Sequence, residues 1–333
     1  MGEVGVDNEF VIRMLREGIP ELGSDEWRLL GWEHERTWRH RGRRFVFGRL
    51  HYVGEGGAEA TSAEVLVKLY RKDPGDRSLR ALRLLWEAGF RSPSPWRVPR
   101  PYGRVAQQNL LIQERVGGES WQEHLVLEDG SLAAASAAAA DWLLRLQAVP
   151  PENANHAPYA SGPRSPERLA RELMAAHPEK EALLGPLANR LVGVLREGAE
   201  PVLSHGDYHP DNVRISRGAV TVIDFDNFGR REAAYDVGYA IGQLMIMSYI
   251  RSGDFGAGAR AAAAFLERYD EGGGAPPERV GAHVSRTFLQ SLHYELVTLK
   301  NGRTDLIEPW AEQMDRWLRS RGSETLEDLV RHS

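Results

Sequence analysis

The sequence of 333 residues predicts an α+β protein with a strand-rich N-terminal domain and a helical C-terminal domain. Between Trp32 and Val116, β-branched and aromatic residues alternate with polar residues, which is typical of strands. From Leu132 onwards, apolar residues recur mostly at helical spacing, and a hairpin pattern interrupts them near residue 215. The length suits about two domains with cores of their own. We therefore predict two domains, residues 1–116 and 117–333.

The composition is that of an ordinary globular protein, with 42% hydrophobic and 27% charged residues. The net charge of −5 and the pI of about 6.2 argue against a nucleic-acid-binding protein. The absence of cysteine excludes disulfides, zinc-thiolate sites and thiol nucleophiles. The first residues do not resemble a signal peptide, and the longest apolar run, Val237 to Ile250, is too short to span a bilayer. We expect a cytoplasmic protein that binds neither nucleic acid nor membrane.

Residues that can bind metal or move protons flank the hairpin. Five precede it and two follow it: His205, Asp207, His209, Asp211 and Asn212, then Asp224 and Asp226. The two strands read VRI and AVTVI, and a connection that contains Gly218 joins them. Their pairing would bring Asn212 close to Asp224, and Mg²⁺ prefers such oxygen ligands. Asp207 could then accept a proton from an attacking hydroxyl without competing for the metal.

The motif HGDYHPDN, followed by IDFD, resembles the aminoglycoside phosphotransferase and choline kinase family of small-molecule kinases. In that family H-G-D-x-H-x-x-N replaces the H-R-D-x-x-x-x-N of protein kinases. The resemblance implies a two-lobed, protein-kinase-like fold with Asp207 as the catalytic base and Asn212 and Asp224 as Mg²⁺ ligands. The implied reaction transfers the γ-phosphoryl group of ATP or GTP to a hydroxyl group of a small molecule.

The resemblance also implies supporting positions around the same motif. His205 and Asp236 would support the catalytic loop, His209 is the histidine closer to substrate, and Asp226 stands where D-F-G motifs have glycine. Simpler interpretations remain open for some of these residues. Asp236 precedes an apolar run and could be only a helix N-cap. Both histidines could be structural.

In the N-terminal domain, Lys68 belongs to the strand pattern EVLVKLY from Glu64 to Tyr70. A lysine in a strand is often an edge residue that faces water. Its place in the predicted third strand resembles instead the kinase lysine that holds the α- and β-phosphates. That lysine normally pairs with a helix glutamate, but the following helix offers only Asp76 at its start or Glu87 at its end. Another group could hold Lys68 instead, or the ion pair could form only with nucleotide bound.

Two further segments are candidates for nucleotide contact. Gly42 lies between Arg41 and Arg43 at a predicted hairpin tip, where its backbone could approach a phosphate, although such tips are often only solvated. After the proline-rich SPSPWRVPRP, which we interpret as an extended connector, a buried strand runs from Gln107 to Val116. The backbone of Glu114 and Val116 could pair with a purine edge there. An ordinary strand and loop would have the same pattern.

Two alternative functions remain open. His205, Asp207, His209, Asp211 and Asp224 could form a dinuclear metal site for hydrolysis. The missing helix glutamate is also compatible with a non-catalytic nucleotide-binding module. The acceptor itself is open among aminoglycoside-, nucleoside-antibiotic-, sugar- and amino-alcohol-like molecules. A cationic acceptor would suit the polar residues of the late helices, namely Tyr294, Glu295, Asp305, Glu308 and Glu312.

Overall fold

The computed structural model describes residues 28–40, 43–53, 60–70, 76–105, 109–127, 130–154, 165–196, 198–216 and 218–319. The chain forms two compact units. The first comprises Met1–Gly117 together with Thr221–Asp226, and the second comprises Gly118–Val220 together with Asn227–Ser333. The short segment Thr221–Asp226 therefore brings two of the predicted site residues, Asp224 and Asp226, into the first unit. The predicted N-terminal helix, Asn8 to Glu17, lies outside the described residues.

The first unit is built on an antiparallel sheet of five strands in the order β1-β2-β3-β6-β5. Their bounds are β1 Arg28–His40, β2 Arg43–Val53, β3 Ala60–Leu69, β5 Pro101–Val105 and β6 Leu110–Glu114, and the two-residue strand β4 spans Trp96–Arg97. Because side chains alternate between the two faces of a strand, one face collects an apolar cluster. Its buried members are Leu29, Trp32, Val46, Leu50, Tyr52, Val65, Val67, Leu110 and Ile112.

Strand β5 is not among the predicted strands; its first residue, Pro101, ends the proline-rich segment that we interpret as a connector. Pro101 opens this strand at the edge of the sheet, which is a position that tolerates proline. Strand β3 lies between β2 and β6, so Lys68 is not on an edge strand. The interpretation of Lys68 as a solvent-facing edge lysine is therefore wrong.

Helix α1, Asp76–Glu87, follows β3 in sequence and is amphipathic. Its buried residues recur at helical spacing and lie on one face: Ser78, Leu79, Ala81, Leu82 and Leu85. The helix ends before Gly89, whose φ of 91° is a left-handed conformation that suits glycine. The buried face brings Ser78 inside the unit, next to the residues of the candidate site described below.

The second unit is mainly helical, as predicted. Its helices are α2 Trp121–His124, α3 Ser131–Gln147, α4 Pro166–Ala176, α5 Glu181–Leu195, α6 Ala234–Ser252, α7 Gly256–Glu271, α8 Pro277–His293 and α9 Ile307–Arg319. A π-helical turn, Tyr294–Thr298, extends α8. The large side chains of Trp142, Trp310 and Trp317 are fully buried in its core. Within the described ranges, no helix is both long and apolar enough to cross a membrane.

Short strands surround the predicted motif. They are β7 Glu119–Ser120, β8 Pro201–Ser204, β9 Val213–Ser216, β10 Ala219–Val222 and β11 Gly229–Glu232. Strands β9 and β10 are neighbours in one sheet and form the predicted hairpin, and Gly218 in their connection has a φ of 76°. Strands β8 and β11 pair antiparallel, with Gly229 opposite Ser204. The loop from His205 to Asn212, named the 205–212 loop below, therefore starts at the end of a paired strand.

Candidate active site

The central contact of the first unit is an ion pair between Lys68 on β3 and Asp224, which comes just after β10. The Lys68 Nζ lies 2.7 Å from Oδ1 of Asp224 and 3.8 Å from Oδ1 of Asp226. The lysine is only 5% exposed. Burial alone would lower the pKa of Lys68, but the two carboxylates outweigh it and the pKa is raised. Lys68 is therefore a permanent buried cation at neutral pH.

The acids of α1 do not pair with Lys68 in this structure, so neither Asp76 nor Glu87 is its partner here. Asp76 instead contacts Arg104, at 2.8 Å, and Arg80, at 2.5 Å. Glu87 is exposed to solvent. The place of the helix glutamate is taken by Asp224, a residue from a distant part of the chain.

Asp226, at the position of the D-F-G glycine, is buried and is fixed by hydrogen bonds. Its Oδ1 accepts hydrogen bonds from the Tyr70 hydroxyl at 2.8 Å and from the Ser78 hydroxyl at 2.5 Å. Its backbone carbonyl accepts a third, from Arg77, at 3.1 Å. Burial and the nearby Asp226 raise the pKa of Tyr70 well above its usual range, so the phenol remains a donor. These contacts fix the segment that carries Asp224.

The backbone at Asp224 has a φ of 68°, which is uncommon for a residue with a side chain. Such conformations persist only where the surrounding structure imposes them, and they cluster at functional sites. Here the anchors on both sides are clear: β10 holds the preceding residues and Asp226 is fixed by its three donors. The Asp224 side chain is 29% exposed, so it contacts Lys68 and also reaches solvent.

In the second unit, Asp236 holds the start of the 205–212 loop. Its carboxylate accepts hydrogen bonds from the backbone N–H groups of His205 at 2.7 Å and Gly206 at 2.9 Å. Asp236 lies inside the first turn of α6, whose N-cap is Ala233, so its interpretation as an N-cap is wrong. Gly206 has a φ of 81°, and a Cβ there would lie 2.2 Å from the Asn227 carbonyl oxygen. Only glycine fits this turn.

The loop also holds Asp207 and Asn212 in a defined relation. The Asn212 side-chain amide donates a hydrogen bond to the Asp207 carbonyl at 3.0 Å. Because the amide nitrogen is used, the Asn212 side-chain oxygen is the atom that can serve as a ligand. The His209 backbone N–H also donates to the Asp207 carbonyl, at 2.7 Å. The backbone carbonyl of Asp207 is therefore held by two donors, and its carboxylate is not used in either contact.

The two histidines of the loop differ. His205 is fully buried, and its Nδ1 accepts a hydrogen bond from the Asp207 N–H at 3.3 Å. His209 is half-buried, and its Nδ1 accepts from the Asp211 N–H at 3.1 Å. Burial lowers the pKa of His209, although Asp207 and Asp211 oppose this effect. Both rings thus make contacts that shape the loop, and His209 is the more accessible of the two.

Three residues of these surroundings were not identified from the sequence. Tyr70 and Ser78 bind Asp226, and the ring of Tyr239 on α6 lies with its centroid 6.4 Å from that of His209. Burial, followed by the charge of Asp207, raises the pKa of Tyr239 well above its usual range. The sequence carries one signal for it: Tyr239 comes three residues after Asp236, on the same helix face.

The candidate nucleotide contacts of the first unit have mixed outcomes. Gly42 lies outside the described residues. The Glu114 N–H donates to the Arg100 carbonyl at 2.9 Å, so the carbonyl of Glu114, and not its N–H, is the group it can offer to a purine. Val116 follows β6 outside the strand, where its backbone is not part of the ladder.

Two further expectations find no support. The described residues contain no group of three or more His, Asp or Glu side chains arranged to hold a metal ion, as a dinuclear hydrolytic site would require. The acids of the late helices are engaged locally. Glu308 pairs with Lys180, Asp305 with Arg303 at 2.9 Å, and Glu295 accepts a hydrogen bond from Asn301. These three acids do not form a free anionic wall for a cationic acceptor.

Comparison with known proteins gives consistent results. The complex of APH(2″)-IIa with streptomycin and ATP is similar at 14% identity and a TM-score of 0.54, over 94% of this chain and 99% of that one. Amicoumacin kinase hAmiN in complex with AMP-PNP, Ca²⁺ and Ami is similar at 14% identity and a TM-score of 0.52, over 88% of this chain and 91% of that one. The GDP and kanamycin complex of APH(2″)-IIia is similar at 16% identity and a TM-score of 0.50, over 92% of this chain and 98% of that one. No curated protein sequence matches.

The structural likeness extends over almost the whole chain and confirms the predicted α+β, protein-kinase-like fold. A model of the phosphotransferase enzyme family matches residues 52–282, well over half of the sequence. The match includes Lys68, the 205–212 loop, Asp224 and Asp236. The chain therefore belongs to the phosphotransferase enzyme family, and it is an enzyme of the small-molecule kinase type.

Proposed function

We propose that this enzyme transfers the γ-phosphoryl group of ATP or GTP to a hydroxyl group of a small molecule, with Mg²⁺ as the metal. The observation that carries the proposal is the buried ion pair between Lys68 and Asp224. A buried lysine that stays charged is a costly feature unless its charge is used or compensated. Phosphate groups of a nucleotide are the natural ligands for such a cation, and Asp224 holds it in place without them.

The residues present fit a Mg²⁺ ion bound with nucleotide. Asp224 offers a partly exposed carboxylate, and Asn212 offers its side-chain oxygen. Mg²⁺ takes hard oxygen ligands, often only one or two from protein, and obtains the others from water and phosphates. Bound there, the ion would neutralise negative charge on the transferring phosphoryl group. We assign Asn212 and Asp224 as its two protein ligands.

Asp207 is the base in this proposal. Its backbone carbonyl accepts hydrogen bonds from Asn212 and His209, so the point on the loop from which its carboxylate extends is fixed. The acceptor hydroxyl would give its proton to this carboxylate while its oxygen bonds to the γ-phosphorus and the nucleoside diphosphate leaves. His205, His209, Asp226 and Asp236 act as supports. Positioning and charge neutralisation supply most of the rate enhancement in reactions of this kind.

The nucleotide contacts we propose in the first unit are Lys68 on the phosphates, the backbone at Gly42 on a phosphate, and the backbone of Glu114 and Val116 on the purine. The choice between ATP and GTP stays open. One structurally similar protein is described with ATP and another with GDP. The same complexes contain streptomycin and kanamycin, which supports a small-molecule acceptor for this chain.

The segment after Asp224 also favours a small acceptor. In protein kinases a long segment at this place carries the regulatory phosphosite and supports the peptide substrate. Here the chain passes through the 3₁₀ turn Phe225–Asn227 and the paired strand β11, and α6 begins at Ala234. Residues 225–235 contain no serine or threonine. A segment this short and this firmly paired cannot provide a peptide platform.

The test is a transfer screen with ATP and with GTP against aminoglycosides, nucleoside antibiotics, sugars, amino alcohols and a peptide library. The purified full-length enzyme should add one phosphoryl group to a small molecule, detected by mass spectrometry, and should need Mg²⁺. Faster transfer to peptides than to any small molecule would contradict the choice of acceptor. Nucleotide binding without transfer to any acceptor would favour the non-catalytic alternative. Tightly bound Zn²⁺ or Mn²⁺ with hydrolytic activity would favour the hydrolase.

A further inference from the structure

Two arginines of the second unit lie against one aromatic ring. The guanidinium carbon of Arg231 on β11 is 4.6 Å from the centroid of the Tyr235 ring, and that of Arg286 on α8 is 4.1 Å from it. Such contacts are favourable because the face of an aromatic ring carries negative charge density. The ring has no net charge, however, so two positive charges are concentrated around it. These three residues are called the Tyr235 cluster below.

The carboxylate of Glu232, which follows Arg231 in β11, is used by other groups. Arg279 donates to both of its oxygens, from Nε at 2.7 Å and from Nη2 at 2.6 Å. The Nε2 of His283 lies 2.7 Å from one of these oxygens. The Nδ1 of His283 accepts a hydrogen bond from the Nε of Arg286 at 3.2 Å, so this imidazole is neutral. Glu232 therefore does not neutralise the Tyr235 cluster.

Arg286 is the more unfavourable charge of the cluster, because it is only 2% exposed. Its Nη1 lies 3.5 Å from the side-chain oxygen of Gln290, and its buried Nη2 has no hydrogen-bond partner among the described residues. Within the described ranges, no carboxylate oxygen lies within 4.0 Å of a guanidinium nitrogen of Arg231 or Arg286. A buried cation without a paired anion is strongly unfavourable. The Tyr235 cluster therefore lacks a counter-anion.

Arg231 brings this positive charge next to the proposed base. Its Nη1 donates to the Ser204 hydroxyl at 3.2 Å and its Nη2 to the Asn227 carbonyl at 3.1 Å, and both acceptors are uncharged. A Cβ on Gly206 would lie 2.6 and 2.9 Å from the same two nitrogens, so the guanidinium group packs on the residue before Asp207. Arg231 is half-buried, so an anion from solution can reach it.

We propose that the acceptor carries an acidic group, a carboxylate or a phosphate, which binds Arg231 while a hydroxyl group of the same molecule lies at Asp207. This inference rests on the proposed function, because it names the class of acceptor for the same reaction. Each terminal nitrogen of Arg231 has a second N–H group for the anion, and a guanidinium group suits both kinds of acid. Arg286 need not touch the acceptor, since buried charges are weakly screened.

A purely structural role for Arg231 makes different predictions. In that case Arg231 only ties β11 to the 205–212 loop through Ser204 and Asn227, and its charge does not select the acceptor. Loss of such a tie affects acidic and neutral acceptors equally, whereas loss of a binding cation affects only the acidic ones. The ratio of kcat/KM for an acidic acceptor to kcat/KM for its neutral counterpart therefore separates the two roles.

The test measures phosphoryl transfer to matched acceptors: D-gluconate with D-glucitol, D-glucuronate with D-glucose, and glucose 6-phosphate with D-glucose. The wild-type enzyme should prefer the acidic member, and the pairs distinguish a carboxylate from a phosphate. Arg231→Gln should lower kcat/KM for the acid by roughly 10- to 100-fold, the loss expected for one charge-assisted hydrogen bond, and Arg231→Lys should lower it less. Preference for neutral acceptors or for aminoglycosides would overturn the proposal and leave the proposed function standing. Equal loss for both members of a pair would also overturn it.

The matched control is Arg230→Gln, in the same strand. Successive side chains of a strand lie on opposite faces, and the Nη2 of Arg230 donates instead to the carbonyl of Pro151 at 2.5 Å. The variant loses the same charge as Arg231→Gln, so it should leave the ratio of acidic to neutral acceptors unchanged. An equal loss of selectivity in both variants would indicate an effect of net charge alone, which contradicts the proposal.

A second measurement does not depend on activity. Calorimetric titration of the full-length protein without nucleotide uses D-gluconate, D-glucuronate and glucose 6-phosphate as probes. At least one of them should bind the wild type and Arg230→Gln, and should bind Arg231→Gln at least roughly tenfold more weakly. No binding to the wild type, or equal binding to Arg231→Gln, would overturn the proposal even if a neutral acceptor is phosphorylated. Binding that depends on Arg231 in a protein without transfer would support the anion site and contradict the proposed function separately.

Discussion

Lys68 and Asp224 are 156 residues apart in sequence, yet the lysine Nζ and the aspartate Oδ1 are 2.7 Å apart. The pair joins the central strand of the first unit to the segment that follows the hairpin. It takes the place of the helix glutamate that a kinase lysine normally uses. Since no acid of α1 contacts Lys68, the charge of the lysine is balanced by the residue that we assign to the metal. Nucleotide binding should therefore rearrange this pair.

Substitution of Asp224 should weaken nucleotide binding in a Mg²⁺-dependent manner. Asp224→Ala removes a charged ligand, and Asn212→Ala removes a neutral one, so the first effect should be larger. We expect the affinity for ATP with Mg²⁺ to fall by at least roughly 10- to 100-fold, which is the loss in metal affinity that follows removal of a residue that only orients a metal ligand. Calorimetric titration of ATP with and without Mg²⁺ measures it. The control is Asp211→Ala, since Asp211 is exposed, is not an assigned ligand, and forms a surface ion pair with Arg214 at 3.5 Å.

An unchanged affinity for Mg²⁺ and ATP in Asp224→Ala would contradict the metal assignment. A loss that is equal with and without Mg²⁺ would mean that Asp224 acts only on Lys68. Circular dichroism should accompany the titration, because loss of one partner of a buried ion pair can also destabilise the fold.

The donors to Asp226 should contribute to the stability of the first unit. Tyr70→Phe removes one hydrogen bond to the buried carboxylate and Ser78→Ala removes another. Each should lower the free energy of unfolding by about 1–3 kcal/mol, because hydrogen bonds to charged groups are stronger than neutral ones. Urea denaturation of the full-length protein measures this. An unchanged midpoint in the double variant would show that these contacts do not hold Asp226.

Acidification should destabilise the second unit through Glu232 and His283. The carboxylate of Glu232 contacts His283 at 2.7 Å and Arg279 at 2.6 Å. Burial lowers the pKa of His283 to about 4 from 6.5, although the hydrogen bond to Glu232 opposes it. The unfolded chain therefore binds a proton that the folded chain does not, and stability should fall as the pH drops from about 6.5 to about 4.

Glu232 changes stability in the same direction at lower pH. Burial would raise its pKa, but His283 and Arg279 outweigh burial and lower it to about 2 from 4.5. The contribution of the ionised Glu232 to the free energy of unfolding is present above pH 4.5 and is lost as the pH falls towards 2. Urea denaturation at a series of pH values tests both groups. A His283→Gln variant should lose the part of the slope between pH 6.5 and 4, and an identical slope in the variant would contradict the assignment.

The sequence was sufficient for much of the fold because its signals are local. Strand alternation located β1, β2, β3 and β6, and helical periodicity located the longer helices of the second unit but not the four-residue helix α2. Strand β5 was missed because its proline-rich start does not resemble a strand, although an edge position tolerates Pro101. The hairpin of β9 and β10 was predicted from the β-branched residues and Gly218, which are again local signals.

The contacts of the site depend on distant residues, and local patterns cannot reveal them. The sequence suggests a partner of Lys68 on the next helix, whereas its partner in the structure is Asp224. Asp236 precedes an apolar run as an N-cap would, but α6 begins two residues before it. The Asp236 carboxylate accepts a hydrogen bond from the backbone N–H of His205 in the 205–212 loop. For Tyr239, the only signal in the sequence is its spacing of three residues from Asp236, which many core residues of helices share. Such pairs follow from tertiary structure and not from residue type.

The most direct test of the central claim combines turnover and nucleotide binding in Asp207→Asn. The change removes the base but keeps the size of the side chain and the backbone hydrogen bonds of the loop. General-base catalysis contributes typically ~10²- to 10⁴-fold, so phosphoryl transfer to the acceptor should fall by that order. The dissociation constant of ATP with Mg²⁺ should stay within about twofold of the wild-type value, because Asp207 is not a proposed ligand. Near-normal transfer in this variant would contradict the account.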